Sequence, residues 1–407
     1  MIQAQQAKQA ASKLLAITEQ QRNQALNAVA DLLELQIPMI LGENIKDVRE
    51  AKQQQLSDAL IDRLMLNEER LVALANSVRE IAKQDQVVGI LESNIRRDDG
   101  LEIHKQRVPI GVLAMIFESR PNVVIDCSAL AIKSGNAIVL KGGKEATFSN
   151  RILNGIVQNA IRDILPEHSV QLVEQREDVA ELLKQRGLID LIIPRGGEGL
   201  VSFVEENSKV PVLAHHKGLC HTYIDVSANL DKAIDIVLNA KVQRPGVCNA
   251  LETLLLDNKL ETGFINQLFQ QLSDAGVELR LDVSCPEFAG AKQASDSDWD
   301  EEYLDLILSV KMVDGVEKAC DHIQQHGTNH TEVILANDRS ALDYFQQHVD
   351  ASAVMVNASS RFNDGGEFQL GAELGISTTK LHAYGPMGAK EMTICRHLVL
   401  GENHCRG

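Results

Sequence analysis

Aromatic residues are scarce in this 407-residue chain, at 3% with a single tryptophan. Base-stacking platforms need several such rings, so a nucleic-acid reader of that kind is excluded. Cations are also in deficit. Lys plus Arg total 40 against 57 Asp plus Glu, a formal charge of −17. Such a surface repels polynucleotides and anionic bilayers. No apolar run approaches the ~18 residues that span a bilayer. The opening MIQAQQAKQAASKLL lacks the uninterrupted apolar stretch of a secretory leader. No two cysteines stand as CxxC, and no Cys/His set has zinc-site spacing, so no metal is expected. Neither GxGxxG nor GxxxxGK[ST] occurs, so any nucleotide site must be of another type. No internal repeat has a solenoid period.

What is present reads as a multi-domain enzyme of the cytoplasm. The length suggests two or three domains. The hydrophobic fraction of 44% and charged fraction of 24% are ordinary for a chain with a large core. The seven cysteines are Cys127, Cys220, Cys248, Cys285, Cys320, Cys395 and Cys405. Their odd number and scatter fit reduced thiols better than a disulfide framework. Residues 1–86 repeat apolar positions at helical spacing, as at Leu26, Val29, Leu32, Leu33 and Ile37. Asp98-Asp99-Gly100 between extended runs signals a hairpin. An isolated hairpin is marginal in water, so it must pack on another domain or subunit.

From residue 109 strands and helices alternate. Strands are predicted at 111–117, 137–140, 170–173 and 188–193, with helices at 123–134, 146–164, 179–185 and 200–206. That order argues for a parallel sheet covered on both faces. A second α/β stretch runs from 231 to 369, with strands at 252–256, 307–312, 332–335 and 353–356. Residues 391–400 have the composition of a further strand.

Two strand ends carry glycines: Lys141-Gly142-Gly143-Lys144 and Arg195-Gly196-Gly197-Glu198-Gly199. Glycine there lets a ligand approach the backbone, and the next helix N-terminus favours phosphate. The plain alternative is a turn. Gln243-Arg244-Pro245-Gly246-Val247-Cys248-Asn249 joins a predicted helix to a predicted strand. Pro and Gly before Cys248 make a rigid loop that presents its thiol. The other cysteines read as small buried hydrophobes. His215 and His216 are adjacent and would point to opposite faces of a strand, so they do not share a metal.

Three longer segments carry a resemblance: IFESRPNVVIDCSALAIKSGNAIVLKGGKEA (116–146), QRPGVCNALETLL (243–255) and ASAVMVNASSRFNDGGEFQLGAELGISTTKLHAYGPMG (351–388). They are similar to the gamma-glutamyl phosphate reductases, a family of the aldehyde dehydrogenase superfamily. The resemblance covers essentially the whole chain. It implies an α/β fold of the aldehyde dehydrogenase kind. A Rossmann-like NADP-binding domain would span 1–92 and 108–228, and an α/β catalytic domain 229–370. A β oligomerisation arm would combine 93–107 with 390–407, and 371–389 would lead back to the cofactor domain. A homo-oligomer follows, with a glutamate 5-kinase as a further partner.

The implied reaction is NADPH-dependent reduction of L-glutamyl 5-phosphate to glutamate 5-semialdehyde and phosphate, in proline biosynthesis. Cys248 matches the family's nucleophile, whose thioester is then reduced. Asn122 matches the oxyanion-hole asparagine; its alternative is the N-cap of the following helix. Lys141 matches the lysine that reaches the adenosine ribose, with Gly142 beside it. Lys144 stands where NAD-using relatives carry a glutamate, and a cation there suits a 2′-phosphate. Gly196 and Gly197 would admit the pyrophosphate. Glu302 resembles the glutamate that holds the nicotinamide ribose; its alternative is a surface carboxylate of the acidic run 296–302. Arg120, Arg244, Ser359, Ser360 and Arg361 are the candidate substrate contacts, and Lys217 is a lesser one.

One departure carries information. Most aldehyde dehydrogenases place a glutamate base upstream of the cysteine to activate water. The corresponding stretch here, 212–218, has no carboxylate. A thioester that must wait for hydride gains from that absence. The rivals are a phosphate-independent semialdehyde dehydrogenase and a non-catalytic scaffold for a glutamate kinase.

Overall fold

The computed structural model describes residues 1–175, 177–214 and 217–406. His215 and His216, weighed above as metal ligands, lie outside the described residues. The chain divides into two compact units. The first holds Met1–His215, Gln369–Gly375 and Leu381–Gly407, and the second His216–Phe368 and Ile376–Lys380.

The first unit opens with five helices: α1 (Ile2–Leu14), α2 (Glu19–Leu35), α3 (Ile37–Gln53), α4 (Asp58–Leu64) and α5 (Glu68–Lys83). Thr18 starts α2 with a capping box, its side chain paired reciprocally with Gln21. The apolar stripe Ala25, Leu26, Val29, Ala30 and Leu33 is buried, as its spacing requires. Two antiparallel strands follow, β1 (Leu91–Arg96) and β2 (Glu102–Pro109). Gly100 turns between them at φ +90°, a conformation that costs glycine little. The C-terminal strand Thr393–Leu400 pairs antiparallel with β2, giving a three-stranded sheet.

Next come β3 (Val112–Phe117), β4 (Ala137–Lys141), β5 (Val170–Leu172) and β6 (Leu191–Arg195), with α6 (Val123–Lys133), α7 (Thr147–Ile161), α8 (Glu177–Leu182) and α9 (Glu198–Asn207). The strands form a parallel sheet in the order β5-β4-β3-β6. β3 and β4 are buried at every position, which explains their continuous apolar runs. Lys133, at the end of α6, is fully buried. Its ammonium is met by Glu19 Oε1, Asn23 Oδ1 and the carbonyls of Ala82 and Gln84, which tie α6 to the N-terminal helices.

The second unit holds β7 (Cys220–Ile224), α10 (Leu230–Val242), β8 (Leu251–Asp257), α11 (Thr262–Asp274), β9 (Glu278–Leu281) and β10 (Lys292–Gln293). It continues with β11 (Ile307–Val313), α12 (Gly315–His326), β12 (Thr331–Leu335), α13 (Arg339–His348) and β13 (Ala353–Val356). The seven strands run parallel in the order β10-β9-β11-β8-β7-β12-β13.

Three strands correct the sequence reading. β7 was not predicted, because Cys220-His221-Thr222-Tyr223 does not look like a buried strand. Yet β7 pairs with both β8 and β12, so the expected boundary at 228 falls inside the second unit. β9 and β10 were also missed, being only four and two residues long. The return segment is also divided, since Ile376–Lys380 groups with the second unit. Among the described residues no single helix is long and apolar enough to cross a membrane.

Candidate active site

In the second unit, residues 243–250 form the loop between α10 and β8, and Cys248 sits on it half-buried. A turn closed by Ala250 N–H on the Val247 carbonyl (3.0 Å) presents it. The loop is held from both sides by the turn 359–363. Asn249 Nδ2 donates to the Asn363 carbonyl at 2.9 Å, and Ser360 Oγ donates to the Asn249 carbonyl at 2.7 Å. On the other side of the cysteine, Arg361 Nε donates to Gln243 Oε1 at 2.8 Å. Arg361 therefore spans the loop that Cys248 rides on. Burial lowers its pKa, and the neighbouring Arg244 adds to that, while Asp364 opposes it.

Ser359 and Ser360, the serines among the expected substrate contacts, make bonds within the fold. Both are buried. Ser360 spends its hydroxyl on Asn249, and Ser359 accepts from Arg361 N–H at the start of its turn. They shape the loop's seat. Glu302 is also more than a surface carboxylate: its Oε1 accepts Gly218 N–H at 3.0 Å. Gly218 lies directly on the Cys248 backbone, where an added Cβ would sit 2.0 Å from the Cys248 carbonyl oxygen.

Five of the other six thiols are raised above the ordinary range. Burial pushes Cys127 and Cys220 well above the ordinary thiol range, Cys285 to about 11 and Cys320 to about 12. Cys395 rises through burial and its bond to Glu92. Cys405 is exposed near the C-terminus. No disulfide joins any of the seven. The Cys220 thiol donates to the Cys248 carbonyl at 3.1 Å, a further prop under the loop.

In the first unit the candidates cluster at the carboxyl ends of β3, β4 and β6. Asn122 precedes α6 but does not cap it; Nδ2 donates to Asp126 Oδ2 at 2.9 Å. Lys141 is buried and donates to the Gly142 carbonyl at 2.6 Å. Its desolvation lowers its pKa, against the pull of Asp178, Glu145 and Glu174. Lys144 begins the short turn that leads to α7.

Two of the glycines already stand close to side chains of the fold. A Cβ at Gly142 would meet Asn150 Nδ2 at 2.2 Å and Phe117 at 2.9 Å. A Cβ at Gly196 would meet Glu118 Oε2 at 2.3 Å, and that oxygen accepts Gly197 N–H at 2.9 Å. The N-terminus of α9, expected to face pyrophosphate, thus carries a carboxylate of its own. Glu145 likewise accepts the Ser119 N–H and hydroxyl, at 2.6 and 2.8 Å.

Glu118 and Asp126 were not singled out from sequence, although both lie in the segment that carries the resemblance. Their signal was a carboxylate directly after, or one turn beyond, a buried strand. Lys241 and Glu252 were missed too, although charged residues among the apolar positions of α10 and β8 were visible.

Two parallel α/β units, one with cations and glycines at its strand ends and one presenting a thiol, define an oxidoreductase fold of the aldehyde dehydrogenase kind. The model of the aldehyde dehydrogenase family matches residues 2–286. A gamma-glutamyl phosphate reductase of Thermoanaerobacter pseudethanolicus is 47% identical over 412 residues, covering 100% of this chain and 99% of the relative. The crystal structure of a gamma-glutamyl phosphate reductase from Thermotoga maritima superposes with a TM-score of 0.97 at 40% identity, covering 100% and 99% of the two chains. An acetylating aldehyde dehydrogenase from Geobacillus thermoglucosidasius shares the fold at 18% identity, with a TM-score of 0.71 and coverage of 100% and 97%. The chain belongs to the aldehyde dehydrogenase family and, within it, to the gamma-glutamyl phosphate reductases. Membership makes it an oxidoreductase of proline biosynthesis that works with a nicotinamide cofactor.

Proposed function

We propose that the chain reduces L-glutamyl 5-phosphate to L-glutamate 5-semialdehyde and phosphate with NADPH, through a thioester on Cys248. The observation that carries this reading is the presentation of Cys248. It is half-buried on a loop braced at both ends, while the other thiols inside the fold are raised by burial.

The residues at hand suit the cofactor. Lys141 and Lys144 offer two cations at one strand end, the chemistry a 2′-phosphate calls for. When bound, NADPH supplies the hydride that the thioester carbonyl accepts.

The remaining steps belong to the chain. The Cys248 sulfur attacks the acyl carbonyl, the C–O bond to phosphate breaks, and a thioester forms. Arg244 and Arg361 are the cations at this loop, and they receive the departing phosphate. Arg120, beside Asn122 in sequence, is a further substrate cation. The Asn122 amide and the Cys248 N–H take up charge developing on the carbonyl oxygen. After reduction the C–S bond breaks and the thiolate returns. Glu302 would hold the nicotinamide ribose.

The test measures NADP⁺ reduction by glutamate semialdehyde with and without phosphate. Turnover should require phosphate; equal turnover without it would favour the phosphate-independent dehydrogenase. Cys248→Ala should abolish activity while NADPH still binds, and an active Cys248→Ala enzyme would end the covalent mechanism.

A further inference from the structure

Lys241 lies in the last turn of α10, and Glu252 is the second residue of β8. The two therefore bracket the loop that carries Cys248. Their side chains are fully buried and meet at 2.8 Å. A buried ion pair is a poor source of stability, because desolvation offsets most of the attraction. Its retention here asks for another reason.

Glu252 has a second bond. Its Oε1 accepts the N–H of Leu304 at 3.3 Å. Leu304 is held at φ +54°, a left-handed conformation that is costly for a residue with a Cβ. Two residues earlier is Glu302, whose Oε1 accepts Gly218 N–H, and Gly218 lies against the Cys248 backbone. The contacts close a ring within the second unit. It runs from the Cys248 loop through Lys241 and Glu252 to Leu304, then through Glu302 and Gly218 back to Cys248.

We propose that the Lys241–Glu252 pair is the positioning element that holds the Cys248 loop and the Glu302 carboxylate in one register. The proposal rests on the reading above, in which Cys248 is the nucleophile and Glu302 meets the nicotinamide ribose. The electrostatics agree with the geometry: burial raises the Glu252 carboxyl and lowers the Lys241 ammonium, and each is restored towards its charged form by the other.

Removing one partner would strand a buried charge, so the test uses two double variants that strand none. Lys241→Met with Glu252→Gln keeps an oxygen for Leu304 N–H. Lys241→Met with Glu252→Leu keeps none. Three readouts are compared on the full chain: NADPH affinity by fluorescence titration, the rate of Cys248 alkylation by iodoacetamide without cofactor, and Tm. Loss of one buried hydrogen bond corresponds to roughly tenfold. The Leu variant should therefore bind NADPH roughly tenfold more weakly than the Gln variant and differ from it in alkylation rate. The two should melt within a few degrees of each other.

Wild-type affinity and a wild-type alkylation rate in both variants would overturn the proposal, leaving the pair as support for the fold. The parent reading fails separately. If Glu302→Gln binds NADPH as tightly as wild type, Glu302 has no cofactor role, and the alkylation comparison still decides whether the pair positions Cys248.

Discussion

Asn122 bonds to a neighbour that the sequence alone did not name. Its position before α6 suggested an N-cap, yet the amide turns to Asp126. Burial pushes the Asp126 carboxyl up to about 6, with Glu373 adding to the rise and Asn122 and Arg195 opposing it. Above that pH the carboxylate accepts one amide proton and fixes the side chain. Below it, the carboxyl proton competes for the amide oxygen. We expect kcat to fall below about pH 6 and the acid limb to vanish in Asp126→Asn, as read from the pH dependence of kcat. A limb that survives in Asp126→Asn would put the titrating group elsewhere. Glu118 makes a second prediction. Its carboxylate holds Gly197 N–H at the start of α9, where an anionic ligand would gain most from the helix dipole. A charge at such an end contributes about 0.3–1 kcal/mol, so Glu118→Gln should tighten NADPH binding roughly two- to fivefold. Unchanged affinity would mean that the phosphates do not seek that helix end.

At the scale of elements, Gly218 is the most constrained position beside the Cys248 loop. A methyl at 2.0 Å from the Cys248 carbonyl cannot be absorbed by a side-chain shift, because the obstacle is backbone. Gly218→Ala should lower kcat by at least tenfold and destabilise by about 1–3 kcal/mol, measured by steady-state kinetics and urea unfolding. Wild-type kinetics in this variant would show that the loop moves without penalty. The arm makes a different prediction. β1 is exposed along its length, with Ile95 59% exposed, and Val399 on the C-terminal strand across β2 is 53% exposed. Apolar residues on so thin a sheet suit a second copy of the chain. Ile95→Asp with Val399→Asp should reduce the mass seen by light scattering, and an unchanged mass would free the arm of that role.

The same scale explains what the sequence could and could not reveal. β3 and β4 were legible because burial on both faces leaves unbroken apolar runs. β7 was not, because its buried polar side chains find partners far along the chain, His221 in Glu332 and Tyr223 in Asp257. The exposed setting of Cys248 was legible from the local chemistry of Pro-Gly before a thiol, which the half-buried loop matches. The bond from Ser360 to the Asn249 carbonyl was not legible, because the two residues stand 111 positions apart.

At the scale of the whole molecule, buried titratable groups set how stability responds to acid. His322 is 6% exposed and packs against Trp299, His221 and His326, with ring centroids 5.4, 5.6 and 4.6 Å away. Burial pushes its pKa down to about 2, and His221, His326 and Lys311 act in the same direction. An unfolded histidine titrates near 6.5. Between that value and about 2, the unfolded chain binds a proton that the folded chain refuses, so stability is complete above pH 6.5 and falls as pH drops. Glu252, raised to about 7, and Asp126, raised to about 6, have the opposite sign. Their folded forms bind more protons, so their contribution falls as pH rises from the ordinary carboxyl range to those values. The wild-type profile between pH 5 and 7 therefore mixes the two, and a variant must separate them. His322→Phe keeps the ring volume and removes the proton site. By linkage, the stability difference between His322→Phe and wild type should shift by about 2 kcal/mol in favour of the variant from pH 7.5 to pH 5. Urea unfolding at both pH values measures it. Parallel profiles for the two proteins would show that His322 is not the group that excludes the proton.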